Sequence, residues 1–315
     1  SLSKYQLLLF GEAGVGKTSF AAEFDDALFL LFEDGTAGLS VNEINLVKEA
    51  RKQDRMVWEV LQDAISEIIS GNHNFKNIVI DTADRMYEDC MEYVCEINEW
   101  DHPSEAGYGA GWSALNDEFQ SVIRELQMSD YGLVILSHAK FKKVSDIKGN
   151  ERDKIVPSTG GKTGAWLIDE SDVIVFYDKD EEGNRVLRVD SDKNFEAKNR
   201  IDFPETDIPG GKSPKEAFDN FKEIFEQAIE KRNKELNITE EQIEEYYADK
   251  KQEQKKQEKL GKLKNKIVDL AKDKGLNPKK NQFEMNKEIG VDKVSKITDI
   301  DKAKQYIEYL KDYEG

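Results

Sequence analysis

Tyr5-Gln-Leu-Leu-Leu-Phe-Gly11-Glu-Ala-Gly14-Val-Gly16-Lys17-Thr18-Ser19 is the stretch that decides the fold. The run Tyr5–Phe10 is almost wholly apolar, and the glycine-rich segment after it fits GxxxxGKT. A buried strand, a glycine turn and helix-compatible residues are the context in which that pattern has a physical meaning. Glycines at Gly11, Gly14 and Gly16 let the backbone N–H groups of the loop through Val15 and Ser19 curl around phosphate oxygens. Lys17 then reaches the outer phosphates, and the Thr18 hydroxyl is a magnesium ligand. The segment predicts binding of a nucleoside triphosphate, ATP, with Mg²⁺.

Working outward, four more short apolar runs follow: Ala27–Phe32, Asn77–Ile80, Leu133–Leu136 and Asp172–Tyr177. Strands covered by helices on both faces read this way, because no polar face interrupts them. Between them, Val57–Ile69 and Ser113–Met128 carry apolar residues at three-and-four spacing, as amphipathic helices do. The alternation predicts an α/β fold with a mainly parallel sheet over residues 1–210. Asp178 to Asn184 looks like the turn of a hairpin at the sheet edge, and Pro204, Pro209 and Gly210-Gly211 close the core. Ser213-Pro214-Lys215-Glu216 opens a helix with Phe218, Phe221, Phe225 and Ala228 on one face. Residues 211–259 therefore read as a docking helix and a charged helical linker. Residues 260–315 read as a small all-α domain of three helices, Leu260–Ala271, Asn281–Ile289 and Asp299–Leu310.

Charge follows the same division. The 315 residues hold 46 Lys and Arg against 64 Asp and Glu, a net of −18. Residues 251–315 contribute 17 Lys and 12 acids, so a +5 tail follows a −23 body. Bulk coating of nucleic acid is excluded, since that needs clustered cations. No apolar run approaches the roughly 20 residues that span a bilayer. Ser1–Gln6 lacks the regions of a secretory leader. Cys90 and Cys95 are too few for a disulfide framework, and His73, His102 and His138 form no ligand cluster. A cytoplasmic setting is the expectation.

A phosphate loop needs an acid for its metal, and the strand Asn77–Ile80 ends in Asp81. Hydrolysis needs a group that orients water. Glu33, directly after the second strand, stands at the carboxyl edge where open α/β sheets bind ligands. Asp34 is the alternative, with Glu33 then capping a turn. The fourth strand leads into Ser137-His138-Ala139-Lys140, which places His138 where it would sense the γ-phosphate.

Together these residues resemble the RecA-type P-loop ATPases, and in particular the phage Sak-four-type single-strand annealing proteins and recombinases. The short gap before Phe29-Leu-Leu-Phe-Glu33-Asp34-Gly35 and the run Leu133-Val-Ile-Leu-Ser-His138-Ala-Lys140 carry the likeness, which covers about residues 4–205. It implies a RecA-like core that hydrolyses ATP with Lys17, Glu33 and His138, binds single-stranded DNA and forms a ring or filament. Asp101–Trp112 stands where the family has its first DNA-binding loop. Phe141–Lys162, with Ser158-Thr159-Gly160-Gly161, stands where it has the second. Lys140, Lys142, Lys143, Arg152 and Lys154 make that second loop basic, which suits a single-strand backbone. Lys193, Lys198 and Arg200 fall where the family sends cations to a neighbour's ATP.

The likeness implies an ATP-dependent recombinase or annealing protein. Two other functions share the motifs: a ring ATPase acting as helicase or helicase loader, and a nucleotide-dependent scaffold or switch. The tail lies outside the likeness. Its charge is modest, and DNA, a single-strand-binding protein and a role within its own chain are the readings it leaves open.

Overall fold

The computed structural model describes residues 5–33, 38–71, 73–129, 131–145 and 149–235, and within the remainder 242, 252, 256, 259–264, 266–268, 270, 271, 273–276, 290, 294 and 297–313. The chain separates into two compact units, Ser1–Ile238 and Thr239–Gly315.

The first unit is a mixed α/β fold on a ten-stranded sheet. Its strands are β1 (Gln6–Gly11), β2 (Ala27–Leu31), β3 (Asn42–Asn45), β4 (Asn77–Asp81), β5 (Gly132–Ser145), β6 (Glu151–Pro157), β7 (Val173–Lys179), β8 (Arg185–Arg188), β9 (Lys198–Asn199) and β10 (Asp207–Gly211). The order is β10-β8-β7-β1-β5-β4-β2-β3, and β7 through β3 along that path are parallel. Helices α1 (Lys17–Ala21), α2 (Leu46–Gln53), α3 (Val57–Ser70), α4 (Ala83–Asn98), α5 (Ala110–Gln127), α6 (Gly161–Glu170) and α7 (Pro214–Glu235) complete it.

Alternation along β1 sorts the core into two layers. Leu8 and Phe10 join Trp58, Leu61, Met86, Phe119 and Ile123 on one face. Leu7 and Leu9 join Phe20, Phe24 and the α7 residues Phe218, Phe221 and Phe225 on the other. Helix α7 docks through the face read from its phenylalanines. Its start is a reciprocal cap: the Glu216 N–H donates to Ser213 Oγ at 3.1 Å, and the Lys212 N–H donates to Glu216 Oε2 at 2.9 Å.

Two expectations need correction. The segment Phe141–Lys162 is largely not a loop: β5 continues to Ser145 and pairs antiparallel with β6, opposing Lys143 to Asp153 and Val144 to Arg152. The consecutive exposed side chains of Phe141, Lys142 and Lys143 suit a ribbon standing in water, and Lys143 opposite Asp153 is a favourable cross-strand pair. The β7–β8 hairpin is not the sheet edge, because β10 pairs with β8. Pro209 lies in that outermost strand, where one side needs no N–H donor. At the other edge, β3 is the polar stretch Asn42-Glu-Ile-Asn45, which lacks the apolar run that marks a central strand.

In the second unit, Leu260, Ile267, Ala271, Leu276, Val294, Ile297, Ala303, Tyr306, Ile307 and Leu310 form a separate core. Helix α8 (Ile300–Asp312) is capped by Asp299, whose carboxylate accepts from the N–H groups of Asp301 and Lys302. The expected helix over 281–289, Asp34 and most of the charged linker lie outside the described residues. Among the described residues, no helix is long and apolar enough to cross a membrane.

Candidate functional site

The carboxyl ends of β1, β5, β4 and β2 lie side by side. Register sets Gly11 against His138, Leu136 against Asp81 and Asp81 against Leu31. One strand, β5, thus separates the glycine loop from the acid, and His138 stands between them where its parallel pairing with β1 ends. Glu33 follows Leu31 by two residues on the far side of Asp81.

Glycine is required in the loop for two different reasons. A side chain at Gly11 would meet the Tyr177 carbonyl oxygen at 2.1 Å, so the neighbouring strand leaves no room. Gly16 has φ 109°, a left-handed backbone that other residues avoid. Beyond the loop, α1 is assigned only five residues before the chain turns into β2.

Lys17 is buried and donates to the carbonyls of Gly11 and Glu12, both at 3.0 Å. Burial pulls its ammonium below the usual lysine range, while Asp81, Asp84 and Glu33 push it back up. The Thr18 hydroxyl donates to Asp81 Oδ2 at 2.8 Å. Burial raises the Asp81 carboxyl above the ordinary range; the Thr18 hydrogen bond opposes this, Glu33 adds to it, and Lys17 and His138 oppose it. Both charges are thus held where desolvation penalises them, as residues awaiting a counter-charge are. A polyphosphate against Lys17 and a hard cation on the Thr18 and Asp81 oxygens fit that imbalance. Among the described residues no group of three His, Cys, Asp or Glu side chains could hold a metal unaided. A cation here would draw its remaining ligands from phosphate and water.

Glu33 Oε2 lies 3.8 Å from Arg85 Nε, and Arg85 is also paired with Glu88 at 2.5 Å. These residues border a cavity of about 310 Å³ whose walls include Phe32, Lys48, Arg51 and Asp89. Burial, with Glu92 and Glu88 adding to it, pushes the Asp89 carboxyl up to about 7.

Sequence reasoning missed Asp84. Its carboxylate receives the Ser137 hydroxyl at 2.8 Å, the Thr159 hydroxyl at 3.1 Å and the His138 backbone N–H at 2.7 Å, and lies 3.0 Å from His138 Nδ1. Its place three residues after Asp81, in the first turn of α4, was the available signal. Arg185 and Pro214 were missed too. Arg185 Nε donates to the Val15 carbonyl at 3.1 Å, and the Pro214 ring abuts the position a side chain at Gly16 would take.

The basic residues expected to meet DNA divide into two sets. Lys142 and Lys143 are exposed on the β5–β6 ribbon beside Phe141, which is 73% exposed, with Lys143 Nζ 3.8 Å from a Glu151 carboxylate oxygen. Lys154 is tied to Glu196 at 2.9 Å, Lys140 donates to the Ser158 carbonyl at 2.7 Å, and Arg152 donates to the Lys193 carbonyl at 3.0 Å. The Asp101–Trp112 segment contains a 3-10 turn, Pro103–Ala106, then a fully exposed Tyr108 before α5 begins. Of the cations expected to reach a neighbour, Lys198 donates to the Ile168 and Asp169 carbonyls and Arg200 to Asp169. They satisfy the C-terminal carbonyls of α6 within the chain.

A family model described as an AAA domain matches residues 3–201. No curated protein matches the chain.

Proposed function

The chain belongs to the AAA-domain family, and on that premise we propose that it is a RecA-type ATPase of the phage Sak-four kind that binds single-stranded DNA. One observation carries the DNA part of this reading. Strand β5 runs unbroken from His138 at the nucleotide edge into an exposed, cation-bearing ribbon with Phe141, Lys142 and Lys143. An aromatic face beside backbone-seeking cations is how proteins hold single strands without reading sequence. The strand inserted between β1 and β4 supports the RecA-type reading of the core.

Bound Mg²⁺-ATP supplies the phosphoanhydride whose cleavage resets the cycle. The loop N–H groups and Lys17 bind and orient the phosphates. Thr18 and Asp81 hold the cation. Glu33 takes the proton of the attacking water, and His138 senses whether the outer phosphate is present. The DNA-binding state is the ATP state, and turnover ends it in an annealing or strand-exchange cycle. The working assembly is a homo-oligomer, and the second unit is the place for a DNA or single-strand-binding-protein contact.

Steady-state turnover with and without single-stranded DNA tests this. Stimulation by about tenfold, a 1.4 kcal/mol effect on the barrier, is expected. Unchanged turnover together with no DNA binding in ATP and Mg²⁺ sinks the reading. Glu33→Gln should slow turnover by about 10²-fold or more and leave the protein stalled on DNA. A scaffold or switch would instead keep its function without hydrolysis.

A further inference from the structure

We propose that Asp84 is a positioning residue that fixes His138 and joins the nucleotide edge to the foot of the β5–β6 ribbon. The inference rests on the nucleotide-binding reading above but not on DNA being the ligand of the ribbon.

Four donors converge on its two carboxylate oxygens. Oδ1 accepts from the hydroxyls of Ser137 and Thr159, and Oδ2 accepts from the His138 backbone N–H and faces His138 Nδ1. An ionised carboxylate only accepts, so the contact at Nδ1 requires the ring proton to sit there. In the neutral imidazole the Nε2 nitrogen is then left with a lone pair, available to accept. Asp84 thereby selects the tautomer of His138 as well as its place.

The same carboxylate reaches across to the returning strand. Ser137 Oγ, while donating to Asp84, accepts the Ser158 N–H at 3.2 Å, and the His138 carbonyl accepts that same N–H at 2.8 Å. Lys140 closes the foot from the other side through the Ser158 carbonyl. Thr159, the Asp84 partner beyond β6, is buried. The start of α4, the middle of β5 at Ser137-His138 and the end of β6 are consequently one hydrogen-bonded unit with Asp84 at its centre. A shift of His138 on nucleotide binding has to move acceptors that hold Thr159 and Ser158: the Asp84 carboxylate and the His138 carbonyl. Buried networks of this kind respond as a set. The exposed ribbon beyond them, Phe141–Ser145 and its partner strand, is where that response is read.

The experiment is amide hydrogen exchange across residues 140–145 and 151–157, with and without a saturating non-hydrolysable ATP analogue and Mg²⁺. In the wild-type protein, nucleotide should change exchange in the ribbon by at least about fivefold, the low end of typical coupling between sites. Asp84→Asn replaces one accepting oxygen with a donor and should abolish the change. Should that variant fail to fold, Thr159→Val, which removes one hydroxyl at constant volume, carries the same expectation. Nitrogen-15 spectra of His138 add a second readout that general destabilisation would not supply, with Nδ1 protonated in the neutral wild-type ring. A ribbon in Thr159→Val that answers nucleotide as the wild type does, a wild-type ribbon that does not answer, or a wild-type ring protonated at Nε2 would each overturn the proposal. DNA binding, measured separately on the wild-type protein, reports on the functional reading and leaves the exchange result standing.

Discussion

From Gly132 to Ser137, strand β5 is buried and pairs in parallel with β1 on one side and β4 on the other; from Phe141 to Ser145 the same strand is largely exposed and pairs antiparallel with β6. The two halves share a backbone and obey different constraints. In the first half packing chooses the side chains from Leu133 to Leu136, and apolar content alone announces a strand. In the second half water covers much of the surface, and chemistry is free to choose lysines and an exposed phenylalanine. His138 stands where one regime gives way to the other. A polar residue there sits on a rigid platform with its side chain half exposed to the site.

The largest effect should come from breaking the buried half. Ile135 is fully buried, and Ile135→Ala should cost about 3 kcal/mol in denaturant unfolding. Phe141→Ala, although it deletes a larger side chain, should stay within about 0.5 kcal/mol. Equal losses at the two positions would erase the contrast.

A smaller effect comes from Asp89, a carboxyl on α4, the helix that covers the buried half. Its folded value is raised to about 7 from 3.8, so between these values the folded state holds more protons than the unfolded state. Stability from this group therefore falls as pH rises from about 4 to about 7 and stays low above it. Asp89→Asn should match the wild type near pH 4 and exceed it by about 2 kcal/mol at pH 8. That is roughly half of what the full displacement implies at about 1.4 kcal/mol per unit, because the group keeps part of its hydration. Urea melts at the two pH values give the comparison, and an advantage largest in acid would refute it.

The smallest effect on stability belongs to the ribbon. Lys142→Ala with Lys143→Ala should change unfolding by less than about 0.5 kcal/mol. Each lost phosphate contact should flatten the salt dependence of single-strand binding by about 0.7, so the pair should flatten it by about 1.4. An unaltered slope would place the nucleic-acid contact elsewhere.

The two halves of β5 also explain what was legible. Tyr5–Phe10, Ala27–Phe32 and Asn77–Ile80 announced their strands because burial on both faces leaves one kind of residue. Lys17, Thr18 and Asp81 were legible for a related reason: phosphate and metal chemistry permits few residue types at few spacings. Structure places the last two 2.8 Å apart. The ribbon and β3 were not legible, since a half-wet or edge strand tolerates the polar residues that loops also use. Nor was Asp84, because its meaning lies in partners 53 to 75 positions away that only folding gathers. Lys154, Lys198 and Arg200 show the converse. Their charge suggested an outside partner, and the fold had already engaged them within the chain.

The contact of Pro214 with the Gly16 position, and of Phe218 and Phe221 with Phe20, bears on where this protein should be cut. The matched family segment stops at residue 201, yet the helix that follows it forms the floor under the phosphate loop. A fragment trimmed to that segment would present Phe20 and Phe24 to water and leave the loop unsupported on that side. A fragment that keeps the loop braced includes α7, Pro214–Glu235.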